Sequence, residues 1–385
     1  MAAQRVAGLG TSIFTEMTAL AQRTGAVNLG QGFPDEDGPP AVVEAAAAAL
    51  RAGHNQYAPG RGVPALREAV AAHQARAYGL QVDPETEVLV TFGATEALAA
   101  ALLGLCDPGD EVVVFEPYYD SYAAAIGFAG GKRRPVTLRA PDFAIDGDAL
   151  RAAIGPRTRL LLLNSPHNPT GRVLSRAELE AVAAVCVEHD LVAITDEVYE
   201  HLVFDGEHVP LATLPGMAER TLTISSLGKT FSLTGWKVGW ATGPAELVSA
   251  AAGAKQFLSF SGGTPFQHAA AHALTHGWEA VQALVASLRA RRDLLCAGLE
   301  AAGFGVVRPA GTYFVCADVR PLGEQDGVAF CLALPERAGV VAIPCAAFHD
   351  DAEAGRPWVR FAFCKREAVL EEGLARLARM RAPTR

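Results

Sequence analysis

Ser225-Ser226-Leu227-Gly228-Lys229-Thr230-Phe231-Ser232-Leu233-Thr234-Gly235-Trp236-Lys237-Val238-Gly239-Trp240 follows directly on the apolar run Thr221-Leu222-Thr223-Ile224. A lysine just beyond a buried strand, among glycines and hydroxyls, sits where the backbone can approach a bound anion closely. Partial burial at such a place lowers the amine's pKa and makes it a nucleophile able to form a Schiff base. Two plainer readings compete: a solvated surface lysine, or the Ser226-x-x-Lys229 pair of penicillin-recognising enzymes. The second also requires an S-D-N and a K-T-G, and neither tripeptide occurs in the chain.

The chain has 385 residues, half of them apolar, which at ~100–200 residues per domain suggests two or three units with ample core. A formal net charge of −9 argues against nucleic acid as a partner, because phosphate recognition needs clustered Lys and Arg. The basic runs Lys132-Arg133-Arg134 and 289–292 are expected on solvated faces. The seven cysteines are dispersed without a C-x-x-C pair, as in proteins that keep reduced thiols. Residues 1–10 hold no apolar signal core, and no window reaches the ~20 apolar residues of a membrane span. The expectation is a cytoplasmic protein without a membrane partner.

A short helical pattern over 8–25 (Ile13, Phe14, Met17, Leu20, Ala21) leads into the Gly/Pro-punctuated loop Asn28-Leu29-Gly30-Gln31-Gly32-Phe33-Pro34-Asp35, whose glycines suggest tight backbone approach. Helices are expected over 39–52 and 63–78, joined by the loop Asn55-Gln56-Tyr57-Ala58-Pro59-Gly60-Arg61-Gly62. From residue 87 short apolar runs alternate with helical periods: 87–91, 111–115, 133–138, 158–163, 191–195 and 221–224. Near-continuous Val/Leu/Ile runs separated by helices such as 175–189 predict a parallel sheet covered on both faces, a doubly wound α/β domain. Ligands of such sheets bind beyond the carboxyl ends of the strands.

The residues after each run converge in chemistry. Gly93-Ala94-Thr95 opens a helix whose free N–H groups suit a phosphate. Tyr118-Tyr119 follows Pro117 and offers an aromatic face; Asn164 and Asn168 supply amides; Asp196, Glu197 and Tyr199 supply carboxylates and a phenol; Ser226 and Lys229 supply a hydroxyl and an amine. Each has a mundane alternative: Thr95 as a helix cap, Tyr119 in a core, Asn168 in an Asx-turn, Asp196 in an ion pair. Taken together, in this order, they can surround one phosphorylated aromatic aldehyde, pyridoxal 5′-phosphate, and no metal is implied.

On four motifs the chain resembles the class I/II aminotransferases of fold type I over nearly its whole length: Asn28-Leu29-Gly30-Gln31-Gly32-Phe33-Pro34, Asn164-Ser165-Pro166-His167-Asn168-Pro169-Thr170-Gly171, Thr195-Asp196-Glu197-Val198-Tyr199, and Gly228-Lys229-Thr230-Phe231 to Gly239-Trp240. Within the family the nearest likeness is to N-succinyldiaminopimelate aminotransferases, then to kynurenine/glutamine and methionine aminotransferases. The resemblance implies a mostly parallel sheet sandwiched by helices, plus a smaller α+β domain built from both termini. The expected division is an N-terminal arm over 1–40, a large cofactor-binding domain over 41–280 and a small domain over 281–385.

The same resemblance implies roles. Lys229 would carry the cofactor as a Schiff base and act as proton carrier, Asp196 would pair with its ring nitrogen, and Tyr199 and Asn168 would bind its 3′-oxygen. Tyr119 would stack on the ring. Gly93, Ala94, Thr95, Ser226 and Lys237 would hold the phosphate, with Tyr57 reaching it from the neighbouring subunit of a homodimer with shared sites. Arg360 would take the substrate α-carboxylate, supported by Gly32 and Asn168. Four residues beyond Tyr57 in the same loop, Arg61 is then the candidate reader of a distal carboxylate. Many relatives carry arginine where this chain has Lys237, a point charge in place of a bidentate fork. Kynurenine-type relatives have tryptophan and histidine where this chain has Phe14 and Ser261, so a kynurenine preference is not implied.

The expected reaction moves an amino group from an amino acid to an oxo acid such as 2-oxoglutarate with ping-pong kinetics, the donor being N-succinyl-diaminopimelate or a neutral, aromatic or sulfur amino acid. Cysteine-conjugate β-elimination would use the same lysine. A non-catalytic PLP-sensing regulator would need a DNA-binding segment, and the matched domain begins almost at residue 1.

Overall fold

The computed structural model describes residues 3–7 and 10–380. The central sheet has seven strands: β1 (Val88–Phe92), β2 (Glu111–Glu116), β3 (Lys132–Thr137), β4 (Thr158–Asn164), β5 (Val192–Asp196), β6 (Thr221–Ser226) and β7 (Val238–Thr242), in the spatial order β1-β7-β6-β5-β4-β2-β3. Every residue of β2 is buried, as a run of Val112, Val113, Val114 and Phe115 between helical layers requires. β2 to β6 pair in parallel. Six strands correspond to the six apolar runs, with ends shifted by up to two residues.

The seventh strand lies inside the opening stretch and was not among those runs. β7 pairs antiparallel with both β6 and β1. The chain passes Lys229 at the carboxyl end of β6, turns through the short 3-10 helix Thr234–Trp236 and returns along the same edge, so the lysine loop is pinned on both sides.

Helices cover both faces. The helices Gly93–Leu105 and Ala245–Leu258 pack on one face with Leu98, Leu102, Val248 and Ala251 buried against β-strand residues Val112, Leu162 and Leu222. On the other lies the helix Arg176–Glu188, started by a capping box in which Ser175 and Glu178 each accept from the other's backbone N–H.

A four-stranded antiparallel sheet of Gly305–Val307, Phe314–Asp318, Ile343–Pro344 and Trp358–Ala362 places Arg360 opposite Cys316 on one side and Ile343 on the other. The N-terminal strand Val27–Asn28 pairs in parallel with Val340–Val341, and Ala362 N–H donates to the Leu29 carbonyl at 2.6 Å. The expected boundary at 280/281 falls inside one continuous helix, Trp278–Ala302.

The basic runs are less solvated than their composition suggests. Arg133 pairs with Asp350 through Nε at 2.9 Å and Nη2 at 2.8 Å. Arg292 is buried; it donates to Asp205, to Asp293 at 2.8 Å and to the Pro309 carbonyl at 3.0 Å. A guanidinium can be buried when most of its donors are satisfied, and here the neighbouring helix residue Asp293, the distant Asp205 and the Pro309 carbonyl do this.

Candidate active site

Beyond the carboxyl ends of β4, β5 and β6 lies a cavity of ≈ 250 Å³. Its lining includes Phe14, Gly32, Gly93, Ala94, Thr95, Tyr119, Asn168, Asp196, Tyr199, Ser226, Lys229, Lys237 and Arg360. The motifs singled out in the sequence therefore meet in one place.

At one end, the helix Gly93–Leu105 begins without a side-chain cap, which leaves first-turn N–H groups available where Gly93, Ala94 and Thr95 line the cavity. Close packing fixes this end: Gly93 has φ +68°, and a Cβ on Gly239 of β7 would lie 2.5 Å from the Gly93 carbonyl carbon. Lys237 is held left-handed at φ 53° and brings Nζ to 3.3 Å from where a Gly93 Cβ would stand. A non-glycine residue at this φ carries strain; Lys237 lines the cavity with Ser226 and Thr95, a set of donors that could form an anion cradle.

In the middle, Asn164 braces the ends of β4 and β5: its Nδ2 donates to the Asp196 carbonyl at 2.7 Å, while its Oδ1 accepts from Asn168 N–H at 2.7 Å. Asp196 is fully buried; its Oδ2 accepts from the Tyr122 hydroxyl at 2.6 Å. Burial pushes its pKa up, against the Tyr122 hydrogen bond, the Val198 N–H and the nearby Lys229 charge, which favour the carboxylate. Lys229 stands on the single turn Leu227–Thr230 and donates to the Tyr313 hydroxyl at 3.1 Å. Burial lowers its pKa to about 8, and the charges of Lys237 and Arg360 act in the same sense, partly offset by Cys364 and Asp196. The amine is therefore partly neutral near neutral pH. The Tyr199 ring is edge-on to Tyr313 at 5.3 Å, and Tyr119 is edge-on to Tyr122 at 5.9 Å, with burial raising the Tyr119 pKa to about 12.

At the far end Arg360 is 1% exposed. Its Nη1 donates to Asn168 Oδ1 and its Nη2 to the Gly30 carbonyl, both at 3.0 Å, and Nε has no partner. The guanidinium lies 4.0 Å from the Phe314 ring centroid, with Phe14 at 5.1 Å and Phe348 at 5.2 Å. Gly32 is obligatory here, because a Cβ would stand 2.5 Å from the Phe314 ring.

Two candidates lie outside this cavity. Tyr57 is 85% exposed and edge-on to Phe260. Arg61 donates through Nη1 to the Thr86 carbonyl and through Nη2 to the Ser249 hydroxyl, both at 2.9 Å, bracing its loop against the helix Ala245–Leu258. These contacts use two of the five guanidinium N–H donors and, among the described residues, leave the others open. Conversely, Tyr122 and Tyr313 touch the central acid and amine and were not anticipated; the only signal for Tyr122 was its place in the aromatic cluster Tyr118-Tyr119-x-x-Tyr122.

Behind the cavity wall, Glu200 accepts from the hydroxyls of Tyr78, at 2.5 Å, and Ser225. His201 Nε2 lies 3.6 Å from its carboxylate and 2.9 Å from His73 Nε2. These three ligand-type residues form a compact buried cluster, but both carboxylate oxygens already receive hydroxyl hydrogens and the two ring nitrogens stand at hydrogen-bond distance, so we read it as a hydrogen-bonded brace. Burial alone would push the Glu200 pKa up; the imidazoles of His201 and His73 and the two hydroxyls outweigh it and hold the pKa below the usual range. A depressed folded pKa contributes stability above the unfolded value of 4.5 and loses it as pH falls through the folded one. Glu200→Gln is expected to cost about 2 kcal/mol at pH 7. In urea unfolding, the gap from the parent protein should narrow below pH 4.5; a gap independent of pH would show that the charge is not what stabilises.

The donor set fits the phosphorylated aromatic aldehyde expected from the sequence. The cradle suits a phosphate dianion, a buried carboxylate suits a protonated ring nitrogen, and a buried amine of lowered pKa suits an aldehyde. Comparison with known proteins agrees. The family model "Aminotransferase class I and II" matches residues 24–377. The chain is 57% identical, over 98% of both sequences, to the Mycobacterium tuberculosis protein named "Probable N-succinyldiaminopimelate aminotransferase DapC". It is 42% identical to the methionine aminotransferase of Escherichia coli over 97% of this chain and 96% of that one. The solved structure of N-succinyldiaminopimelate aminotransferase from M. tuberculosis superposes with a TM-score of 0.97 at 57% identity, covering 99% of this chain and 100% of the other. With fold, cavity and likeness in agreement, the chain belongs to the class I and II aminotransferases and is a pyridoxal 5′-phosphate-dependent aminotransferase.

Proposed function

We propose that this aminotransferase takes its amino group from N-succinyl-diaminopimelate and passes it to 2-oxoglutarate in two half-reactions, with the residues of the cavity acting as follows. The observation that carries the assignment of roles is Arg360: a buried guanidinium that meets only carbonyl oxygens among the described residues, in the same cavity as a buried amine of lowered pKa. A buried cation without an anion is costly, and a substrate α-carboxylate would offset that cost at the right distance from Lys229.

Gly93, Ala94, Thr95, Ser226 and Lys237 would hold the cofactor phosphate, Tyr119 would lie against its ring, and Asn168 and Tyr199 would meet its 3′-oxygen. Asp196, braced by Tyr122 and Asn164, would keep a proton on the ring nitrogen. When bound, pyridoxal 5′-phosphate supplies an electron-withdrawing ring that takes up the negative charge developing at the substrate's Cα. Lys229 would hold the cofactor at rest and, once released, remove the α-proton and return it one atom along. Arg360 and Gly32 would fix the carboxylate so that the Cα–H bond faces that amine, and Phe14 would close the side-chain subsite. The choice of donor rests on the 57% identity to the M. tuberculosis relative. Single half-reactions with N-succinyl-diaminopimelate, methionine and kynurenine, followed by cofactor absorbance, test it; a faster reaction with either of the other two would displace the first.

The proposal includes a cytoplasmic homodimer and the division 1–40, 41–280 and 281–385, for which the pairing of Val27–Asn28 with Val340–Val341 speaks. Supporting a dimer, Tyr57 at 85% and Phe260 at 45% exposure pack edge-on, and Phe257 is 86% exposed; exposed aromatic surface of this kind often marks an interface. If Tyr57 completes the phosphate site of a neighbouring subunit, mixing inactive Tyr57→Ala and Lys229→Ala proteins should restore up to about a quarter of parental activity, because random exchange makes half the dimers mixed, each with one intact site. Verified mixed dimers without activity would remove Tyr57 from the shared site.

A further inference from the structure

We propose that Tyr313 is a positioning residue for Lys229, holding its amine in one orientation and tying that orientation to the segment that receives the substrate carboxylate. This deepens the proposed role of Lys229 and rests on it.

Lys229 Nζ donates to Tyr313 Oη at 3.1 Å, and Tyr313 Oη donates to the Gly32 carbonyl at 2.7 Å. The Tyr313 ring is fully buried and packs edge-on to Tyr199 and Phe314, at 5.3 Å and 4.8 Å. A phenol has one hydrogen. Because Gly32 receives it, only lone pairs of Oη face Lys229, so the amine must direct an N–H toward Tyr313. Its own lone pair, or the proton it carries, then points elsewhere, into the cavity. Burial raises the Tyr313 pKa well above its ordinary value, so the phenol keeps its hydrogen throughout and acts as a fixed acceptor.

Gly30 accepts from Arg360 and Gly32 from Tyr313, so two carbonyls spaced by one residue connect the carboxylate-binding guanidinium to the proton-carrying amine. Tyr313 does not line the cavity; it acts through Lys229. A carboxylate that shifts Arg360 or the 30–32 backbone would therefore move the acceptor that orients the amine.

Tyr313→Phe retains the ring and its packing and removes only the acceptor, so the variant isolates this role. In cofactor-free protein, the pH dependence of Lys229 carbamylation by cyanate, read residue by residue by mass spectrometry, should shift its midpoint down by about half a pH unit, since an acceptor favours the charged amine. In the loaded enzyme the single half-reaction should slow about 10- to 100-fold and show a larger isotope effect with α-deuterated donor, with cofactor affinity and KM within about twofold of the parent. An unmoved midpoint together with an unchanged half-reaction overturns the proposal, as does a rate loss matched by an equal loss of cofactor affinity, which would mark a merely structural residue. Appreciable turnover by Lys229→Ala would instead overturn the underlying role of Lys229, so the two failures are told apart.

Discussion

Lys229→Ala is expected to lose transamination by at least about 10⁴-fold, because the cofactor attachment and the carrier of the α-proton disappear with one side chain. The fold should survive. Lys229 contributes one hydrogen bond, to Tyr313, and alanine leaves a wider cavity beside space that is already open. The phosphate cradle is untouched, so cofactor should still bind, reversibly. Three measurements separate this from simple unfolding: an unchanged melting curve, cofactor that is lost on gel filtration, and no label at position 229 after borohydride reduction. Small primary amines added to the buffer should restore a little activity by supplying the missing base. Turnover near the parent rate without such amines would show that another group moves the proton.

The second large effect is expected at Asp196. Asp196→Asn keeps the shape, and its amide can still receive the Tyr122 hydroxyl now 2.6 Å away, but it removes the negative charge that would hold a proton on the ring nitrogen. Loss of one such preorganised electrostatic partner costs about 10²–10³-fold in rate. The loss should fall on kcat more than on KM, because the charge matters most as negative charge develops on Cα. Lys229 should still be labelled by borohydride. A variant within about threefold of the parent would mean that the carboxylate serves only packing, at odds with the cost of burying an ionised group.

How far the sequence alone carries can be judged from particular residues. The strands that build the sheet were legible because a strand buried on both faces reads as an unbroken apolar run: Val112-Val113-Val114 and Leu160-Leu161-Leu162-Leu163 leave little choice. β7 was harder to see. Its residues Val238-Gly239-Trp240-Ala241-Thr242 carry a glycine demanded by contact with Gly93 and an alanine, both depleted in strands, and these break up the apolar run. Tyr119, Asn168, Asp196, Tyr199 and Lys229 were legible because they come at or just after the ends of strands, whereas Gly32, Lys237 and Arg360 were found only through the family resemblance. Tyr122 and Tyr313 were not legible, because they sit within apolar segments and look like core residues until the fold brings them to partners 74 and 84 positions away. For Arg61, spacing from Tyr57 suggested a ligand role, and it could not reveal that Ser249, 188 positions along the chain, takes one of its donors.

The parallel pairing of Val27–Asn28 with Val340–Val341 bears on the order in which the protein can be made. All seven strands of the central sheet lie between residues 88 and 242, so a chain leaving the ribosome has synthesised Lys229, Asp196 and the anion cradle, with every strand that positions them, while more than a hundred residues remain to be added. Residues 27–32 emerge long before they are settled: their strand partner at 340–341 and Arg360 are made only after the whole central sheet. The grip on the cofactor can thus form during synthesis, whereas the grip on the substrate carboxylate must await a closure between the two ends of the chain, a contact of very long sequence separation and correspondingly slow formation. A nascent or truncated chain ending before residue 340 would keep the first grip and lack the second.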